Sequence, residues 1–277
     1  MSDIDTPYEL APELIVSFRE RGFVKLKDVL SEETLVHYGA EIREKVQELN
    51  KNKAPMAERT TYKQAFIQII NLWQKSEAVR TFVFGKRLAR IATELMGTEG
   101  VRVYHDQALF KEAGGGFTPW HADQFYWPFA SEKCCSVWVP LQETPLEMGP
   151  MGFAEGSHRF ETGRDLGISD ESETVIGAAL QEGGYSCIYS PYVLGEVSFH
   201  AGWTFHRADG NRTAGVREAM TMIYMDKEMR MKEEDNEHQQ AAVWCPGVEV
   251  GEVIDTPQTP VVYTKARATE NTEEHGG

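Results

Sequence analysis

Residues 118–128 read TPWHADQFYWP and set an imidazole, His121, two residues from a carboxylate, Asp123, in the most aromatic part of the chain. In an extended segment alternate side chains share a face, so His121 and Asp123 point together while Trp120 points away. Phe125 and Trp127 have the parity of the ligands and are expected to face the same space, with Tyr126 beside them as a hydrogen-bond donor. An imidazole and a carboxylate on one face are two thirds of the 2-His-1-carboxylate facial triad, which leaves positions open on a non-haem Fe(II).

Such a triad needs a second histidine downstream, and the candidates are His158, His200, His206, His238 and His275. His275 sits in the C-terminal tail, and His238 lies in KEEDNEHQQ, a charged run that reads as a solvated face. His158 follows a Gly-Ser turn, where local hydrogen bonds account for it. His200 and His206 are left, both within SFHAGWTFHRADGNRTAGVREAMTMIYMD, residues 198–226.

Around this centre the pattern changes once along the chain. The first hundred residues read mostly as helix: APELIVSFRERG ends at Gly22, and SEETLVHYGAEIREKVQELN has Ser31 as N-cap and Leu35, Tyr38, Ile42 and Val46 along one stripe. A third helical pattern, SEAVRTFVFGKRLARIATELMG, ends at Gly97, and FVKLKDVL between the first two alternates like a strand. After Gly100 come short runs split by glycine and proline: VRVYHDQALFK, SVWVPLQE, GFAEG, YVLGEVSFH, WTFHRA and EAMTMIYMD. The expectation is an α+β, mainly β chain: a sandwich or barrel core with the N-terminal helices laid on one sheet. With no linker to divide it, one domain spans 1–277, with helical support to 98, the core over 99–228, and an extension from 229 that ends in a mobile tail. Two polar segments, 50–64 and 162–184, have the composition of loops over a site.

The formal net charge of −15, with no basic run against it, argues against nucleic acid or an anionic membrane surface as partner. A locally basic pocket for a small anion is compatible with it. The four cysteines lack C-x-x-C spacing, which points to a reducing compartment. No leader pattern opens the chain and no apolar run nears the roughly 20 residues that span a bilayer, so a cytoplasmic location is expected.

WHAD at 120–123 followed by HRADGNRTAGVR at 206–217 resembles the phytanoyl-CoA dioxygenase family of Fe(II)- and 2-oxoglutarate-dependent oxygenases. GPMGFAEGSHR is similar to that family's turn before Ser-His, with Glu155 where proline is usual. The resemblance implies a double-stranded β-helix (jelly roll, cupin-like) and a metal site of His121, Asp123 and His206, with His200 not a ligand. It further implies Fe(II), 2-oxoglutarate as co-substrate and O2, with Arg217 on the far carboxylate and Asn211 and Thr213 matching the motif's N-x-T. Gln107, Thr118, Trp138 and Thr213 are the further co-substrate candidates, and Phe125, Tyr126 and Trp127 the substrate wall. Arg207 and Ala208 depart from the family's Gly-Ser, which leaves Thr213, Thr118 or water to stand in for the serine hydroxyl.

The chemistry suits the residues. A planar, bidentate cation is the natural partner of a carboxylate, and Arg217 in a buried strand needs an anion. Glu218 and Asp209 are the protein groups that could otherwise supply one. Asp123 occupies the position that related halogenases leave open for halide, so hydroxylation of a small-molecule metabolite or natural-product intermediate is favoured. The same residues would serve desaturation, epoxidation or cyclisation, and the alternative of another class is a non-catalytic cupin-like binding protein.

Overall fold

A computed structural model describes residues 3–51 and 55–266 of the chain. Helix α1 (Pro12–Arg21) stops at Gly22, whose φ of 82° suits glycine, and a Cβ there would lie 2.5 Å from the His158 ring. Strand β1 (Phe23–Leu26) follows, then α2 (Glu32–Leu49), whose Ser31 side chain accepts from the Thr34 N–H and whose expected stripe is buried. The third helical pattern is interrupted: α4 (Glu77–Val83) and α5 (Lys86–Met96) meet at Gly85, where a Cβ would lie 2.9 Å from that of Ile4. Between α2 and α4 lie a short helix α3 (Thr61–Ala65) and a strand β2 (Ile67–Ile70), so this third of the chain is less helical than its sequence suggests.

The remaining strands are β3 (Gly100–Lys111), β4 (Thr118–His121), β5 (Cys134–Pro140), β6 (Met151–Ala154), β7 (Cys187–Tyr189), β8 (Val197–Ala201), β9 (His206–Ala208), β10 (Arg217–Asp226) and β11 (Val261–Thr264). They form two antiparallel sheets in the jelly-roll arrangement. The larger runs β1-β8-β5-β10-β3-β11, with β2 also on β3, and the smaller runs β4-β9-β6-β7. Alternation along β10 divides the larger sheet. Met220, Met222 and Tyr224 join the main apolar core with α2, α4 and α5, while Arg217, Ala219 and Thr221 face the other way, toward the smaller sheet. A bulge in β3 opposite Ile223/Tyr224 inserts Tyr104, so Tyr104 and the adjacent His105 both reach the inner side.

Two loop expectations change. Residues 170–182 form helix α6 (Asp170–Glu182), begun by a reciprocal Ser169–Ser172 capping box. Its Ile176 and Leu180 pack with Trp120, which faces away from the site as expected. Within 50–64 the described residues make α3 and a 3-10 turn (Met56–Glu58). Beyond a short α7 (Ala241–Trp244), the polar end of the chain adds β11 as an edge strand, and His275 lies outside the described residues. Among the described residues no helix is long and apolar enough to cross a membrane.

Candidate active site

The extended reading of 118–128 holds through Ala122, so His121 and Asp123 share a face while Trp120 and Ala122 pack on the other side. The chain then turns into a 3-10 segment (Asp123–Tyr126); the shared face of 121 and 123, with the pairing of β4 and β9, gathers the ligands. His121 and His206 are cross-strand partners, with ring centroids 4.1 Å apart. Their Nε2 atoms lie 3.7 and 3.6 Å from Asp123 Oδ1. One ligand atom from each of the three residues lies within 4.8 Å of the other two.

Each imidazole is oriented by its own backbone. Nδ1 of His121 donates to Pro119 O at 2.8 Å and Nδ1 of His206 to Thr204 O at 2.9 Å, which turns both Nε2 lone pairs to the centre. Burial lowers the pKa of both rings, that of His206 furthest, and keeps them neutral. Burial works against the Asp123 carboxylate, but His206, the hydrogen bond from His200 and His121 hold its pKa well below the usual range. Its second oxygen, Oδ2, accepts from Ser136 Oγ at 2.6 Å and from His200 Nε2 at 3.0 Å. Ser136 and His200 are cross-strand partners on β5 and β8, so the sheet aims both at one oxygen. His200 therefore sits behind the aspartate.

These groups open onto a cavity of about 410 Å³ between the sheets, within the range of small-molecule sites. Arg217 lines its wall at 2% exposure: Nη1 donates to Gly149 O at 2.8 Å, Nε has no partner, and the guanidinium lies 5.4 Å over the Trp138 ring. Burial pushes its pKa down to about 10. Neither carboxylate considered for it is available, because Glu218 pairs with Arg43 at 2.5 Å and Asp209 with Arg207 at 3.6 Å. Among the described residues no carboxylate forms an ion pair with Arg217.

Gln107, Thr118 and Trp138 also line the cavity; Gln107 Oε1 accepts from Gln68 at 2.6 Å. Thr213 does not line it, because its hydroxyl donates to Asn211 Oδ1 at 2.7 Å inside the loop before β10. Asn211 pins that loop to the carbonyls of Lys111 and Glu112. Tyr126 and Trp127 face the cavity, whereas Phe125 is carried off it by the 3-10 turn and packs edge-on against Tyr126. The Tyr126 hydroxyl accepts from the Ile168 N–H at 2.7 Å. His158 caps α1 through Arg19 O, and Glu155 pairs with Arg21 at 2.6 Å.

The structure adds residues that the sequence did not single out. His105 has no partner on Nδ1, and burial pulls its pKa down to about 4. Gln68 and Ile70 arrive on the unexpected β2, and Trp244 and the exposed His238 close the rim from the C-terminal extension. Lys111, fully buried, ends β3 opposite Arg217. The inner parity of β3, running 107, 109, 111, is the one signal that could have found it.

A jelly roll holding two neutral imidazoles and a carboxylate beside a cavity defines a non-haem iron oxygenase of the facial-triad class. The chain belongs to the phytanoyl-CoA dioxygenase (PhyH) family of Fe(II)- and 2-oxoglutarate-dependent oxygenases, whose model matches residues 18–219. No curated protein matches it significantly. Its fold is similar to that of the non-heme alpha ketoglutarate dependent carbocyclase SnoK from nogalamycin biosynthesis, at 23% identity over 93% of this chain and 99% of that one, with a TM-score of 0.76. It is also similar to the epimerase SnoN in complex with Fe3+, alpha ketoglutarate and nogalamycin RO (24% identity, 91% and 98% covered, TM-score 0.74). EctD from S. alaskensis with 2-oxoglutarate and 5-hydroxyectoine aligns at 17% identity over 83% and 82%, with a TM-score of 0.66.

Proposed function

We propose that this oxygenase hydroxylates a C–H bond of a small organic molecule, a metabolite or natural-product intermediate, with release of succinate and CO2. His121, Asp123 and His206 hold Fe(II), Arg217 holds the far carboxylate of 2-oxoglutarate, and the whole chain, 1–277, works as one domain. The observation that carries this reading is the donor set. Both histidines have Nδ1 occupied and Nε2 turned to the centre, and Asp123 has Oδ2 occupied and Oδ1 free. Such a set suits a divalent metal with open positions better than it suits a proton relay. The partnerless Nε of a buried arginine, at hydrogen-bonding distance of no carboxylate, suits a dicarboxylate ligand.

The bound iron, with 2-oxoglutarate and O2, supplies the oxidant; the protein binds, orients and excludes water. Tyr126 fixes the rim by accepting from Ile168, and Trp127 and Trp244 give the substrate apolar walls. His105 offers a neutral ring nitrogen to a substrate hydroxyl or amide. Asp123, a carboxylate in place of a small residue, favours hydroxylation over halogenation. A second outcome has its own support, since two similar folds are described as a carbocyclase and an epimerase. On that reading the same residues would hold a substrate whose pose leads to ring closure or inversion.

The test is anaerobic titration of 2-oxoglutarate into Fe(II)-loaded protein, followed by the visible charge-transfer band of the chelate. A band present in the parent protein and absent in His206→Ala supports the assignment, and a substrate screen scored by succinate release then follows. Iron bound without any band would overturn it.

A further inference from the structure

We infer that Lys111 is a second cation for the far carboxylate of 2-oxoglutarate, acting through Thr118, whose hydroxyl it turns toward the cavity. This rests on the reading of Arg217 given above. Lys111 and Arg217 are cross-strand partners at the ends of β3 and β10, so their side chains leave the sheet on the same side. Lys111 is 0% exposed and Arg217 2%. Among the described residues neither forms an ion pair with a carboxylate, and two adjacent buried cations without an anion are costly. A ligand carboxylate between them removes that cost.

The contacts of Lys111 settle how it reaches that ligand. Its Nζ donates to Gly116 O at 2.7 Å and Asp209 O at 2.8 Å, and lies 3.5 Å from Thr118 Oγ1. In its charged, ligand-bound form the ammonium has three N–H donors and no acceptor; two go to Gly116 O and Asp209 O, and the third faces Thr118 Oγ1 across a longer contact in which the threonine can only accept. The Thr118 proton is then directed elsewhere. Ala208, its cross-strand partner on β9, has no hydroxyl to take it, while Thr118 shares the cavity wall with Arg217. An anion there receives one hydrogen bond from Thr118 and the charge of Lys111 behind it. Without the anion, burial and then Arg217 push the Lys111 amine down to about 6, which an arriving carboxylate reverses. Lys111 is thus a positioning residue and Thr118 the contact.

The experiment is equilibrium titration of the full-length, Fe(II)-loaded protein under anaerobic conditions with two 2-oxo acids. 2-Oxoglutarate carries the far carboxylate, and 2-oxovalerate, equal in chain length, has a methyl group there. Lys111→Met and Thr118→Val should each weaken 2-oxoglutarate binding about tenfold or more, the scale of a lost hydrogen bond to a charged group. Both should leave 2-oxovalerate within twofold, and Thr118→Ser should keep the parent affinity for both acids. Equal weakening of both acids in Lys111→Met, or unchanged 2-oxoglutarate affinity in Thr118→Val, would overturn the inference. Should Lys111→Met not fold, Thr118→Val with its serine control decides alone. If the parent protein binds 2-oxoglutarate and loses it in Arg217→Met while both these variants bind normally, only this inference falls. If the parent binds none, the reading beneath it falls as well.

Discussion

Replacing Arg217 with methionine should make the ligand-free protein more stable while crippling its affinity for 2-oxoglutarate. Burial pushes the guanidinium down to about 10, a displacement from its free value equivalent to about 3 kcal/mol against the charged form. Because the depressed pKa lies well above neutrality, that cost is present in full across the ordinary working range of pH. Methionine removes it and retains most of the volume, but strips Gly149 O of its charged donor, at about 1.5–3 kcal/mol. The Leu109 O contact, at 3.5 Å, is weak and adds little. The balance is a gain of up to about 1.5 kcal/mol, or as much as about 5 °C in melting temperature for a chain of this size. The same substitution deletes a charge-assisted pair to the co-substrate and should raise its Kd by about a hundredfold. Differential scanning calorimetry of the metal-loaded protein, with and without saturating 2-oxoglutarate, reads both effects. Added co-substrate should raise the melting temperature of the parent but not of the variant. A variant that melts lower than the parent without ligand would show that the guanidinium is a structural tie, and the energetic reasoning would fail.

Other substitutions separate neighbouring roles. His206→Ala should lose Fe(II) while His200→Ala keeps it with about tenfold weaker affinity, as measured by metal titration; the opposite ranking would exchange their roles. Ser136→Ala removes one of two donors to Asp123 Oδ2 and should likewise weaken metal binding about tenfold with little change in melting temperature. Trp120→Ala empties the contact between β4 and α6 and should cost about 3–5 kcal/mol in denaturant unfolding. A loss below 1 kcal/mol would mean that α6 is not anchored there.

Much of this molecule was legible from alternation and motif spacing. Leu35, Tyr38, Ile42 and Val46 announced the buried face of α2, and the runs after Gly100 marked the long central strands. The metal-ligand candidates were also visible: Ala122 is extended, so His121 and Asp123 share a face as strand parity requires, and the 3-10 turn begins only at Asp123. That turn is why Phe125 faces away from the cavity. What stayed hidden depends on contacts between distant segments. Nothing local in AFIQII, a short apolar run after a helical turn, shows that it will pair with β3. The third helical pattern runs unbroken across Gly85 in the sequence, but Ile4 packs against that glycine and the helix breaks there. The acidic, serine-rich start of α6 reads as a loop, yet the same residues are the first turn and capping box of a helix. His238 and Trp244 reach the cavity only because the extension folds back over it.

The two hydrogen bonds on Asp123 Oδ2 have a further effect. A carboxylate can swing from one oxygen on a metal to both, and each such swing consumes a coordination position. Here Ser136 and His200 would both have to be released for Oδ2 to turn inward, at about 3–6 kcal/mol for two bonds to a charged group. Ser136 and His200 would thereby hold the aspartate to a single oxygen on a bound metal, and leave the positions that a second oxygen would consume to the co-substrate and O2. Two residues that would not themselves touch the metal would in that way set how many ligands it can take.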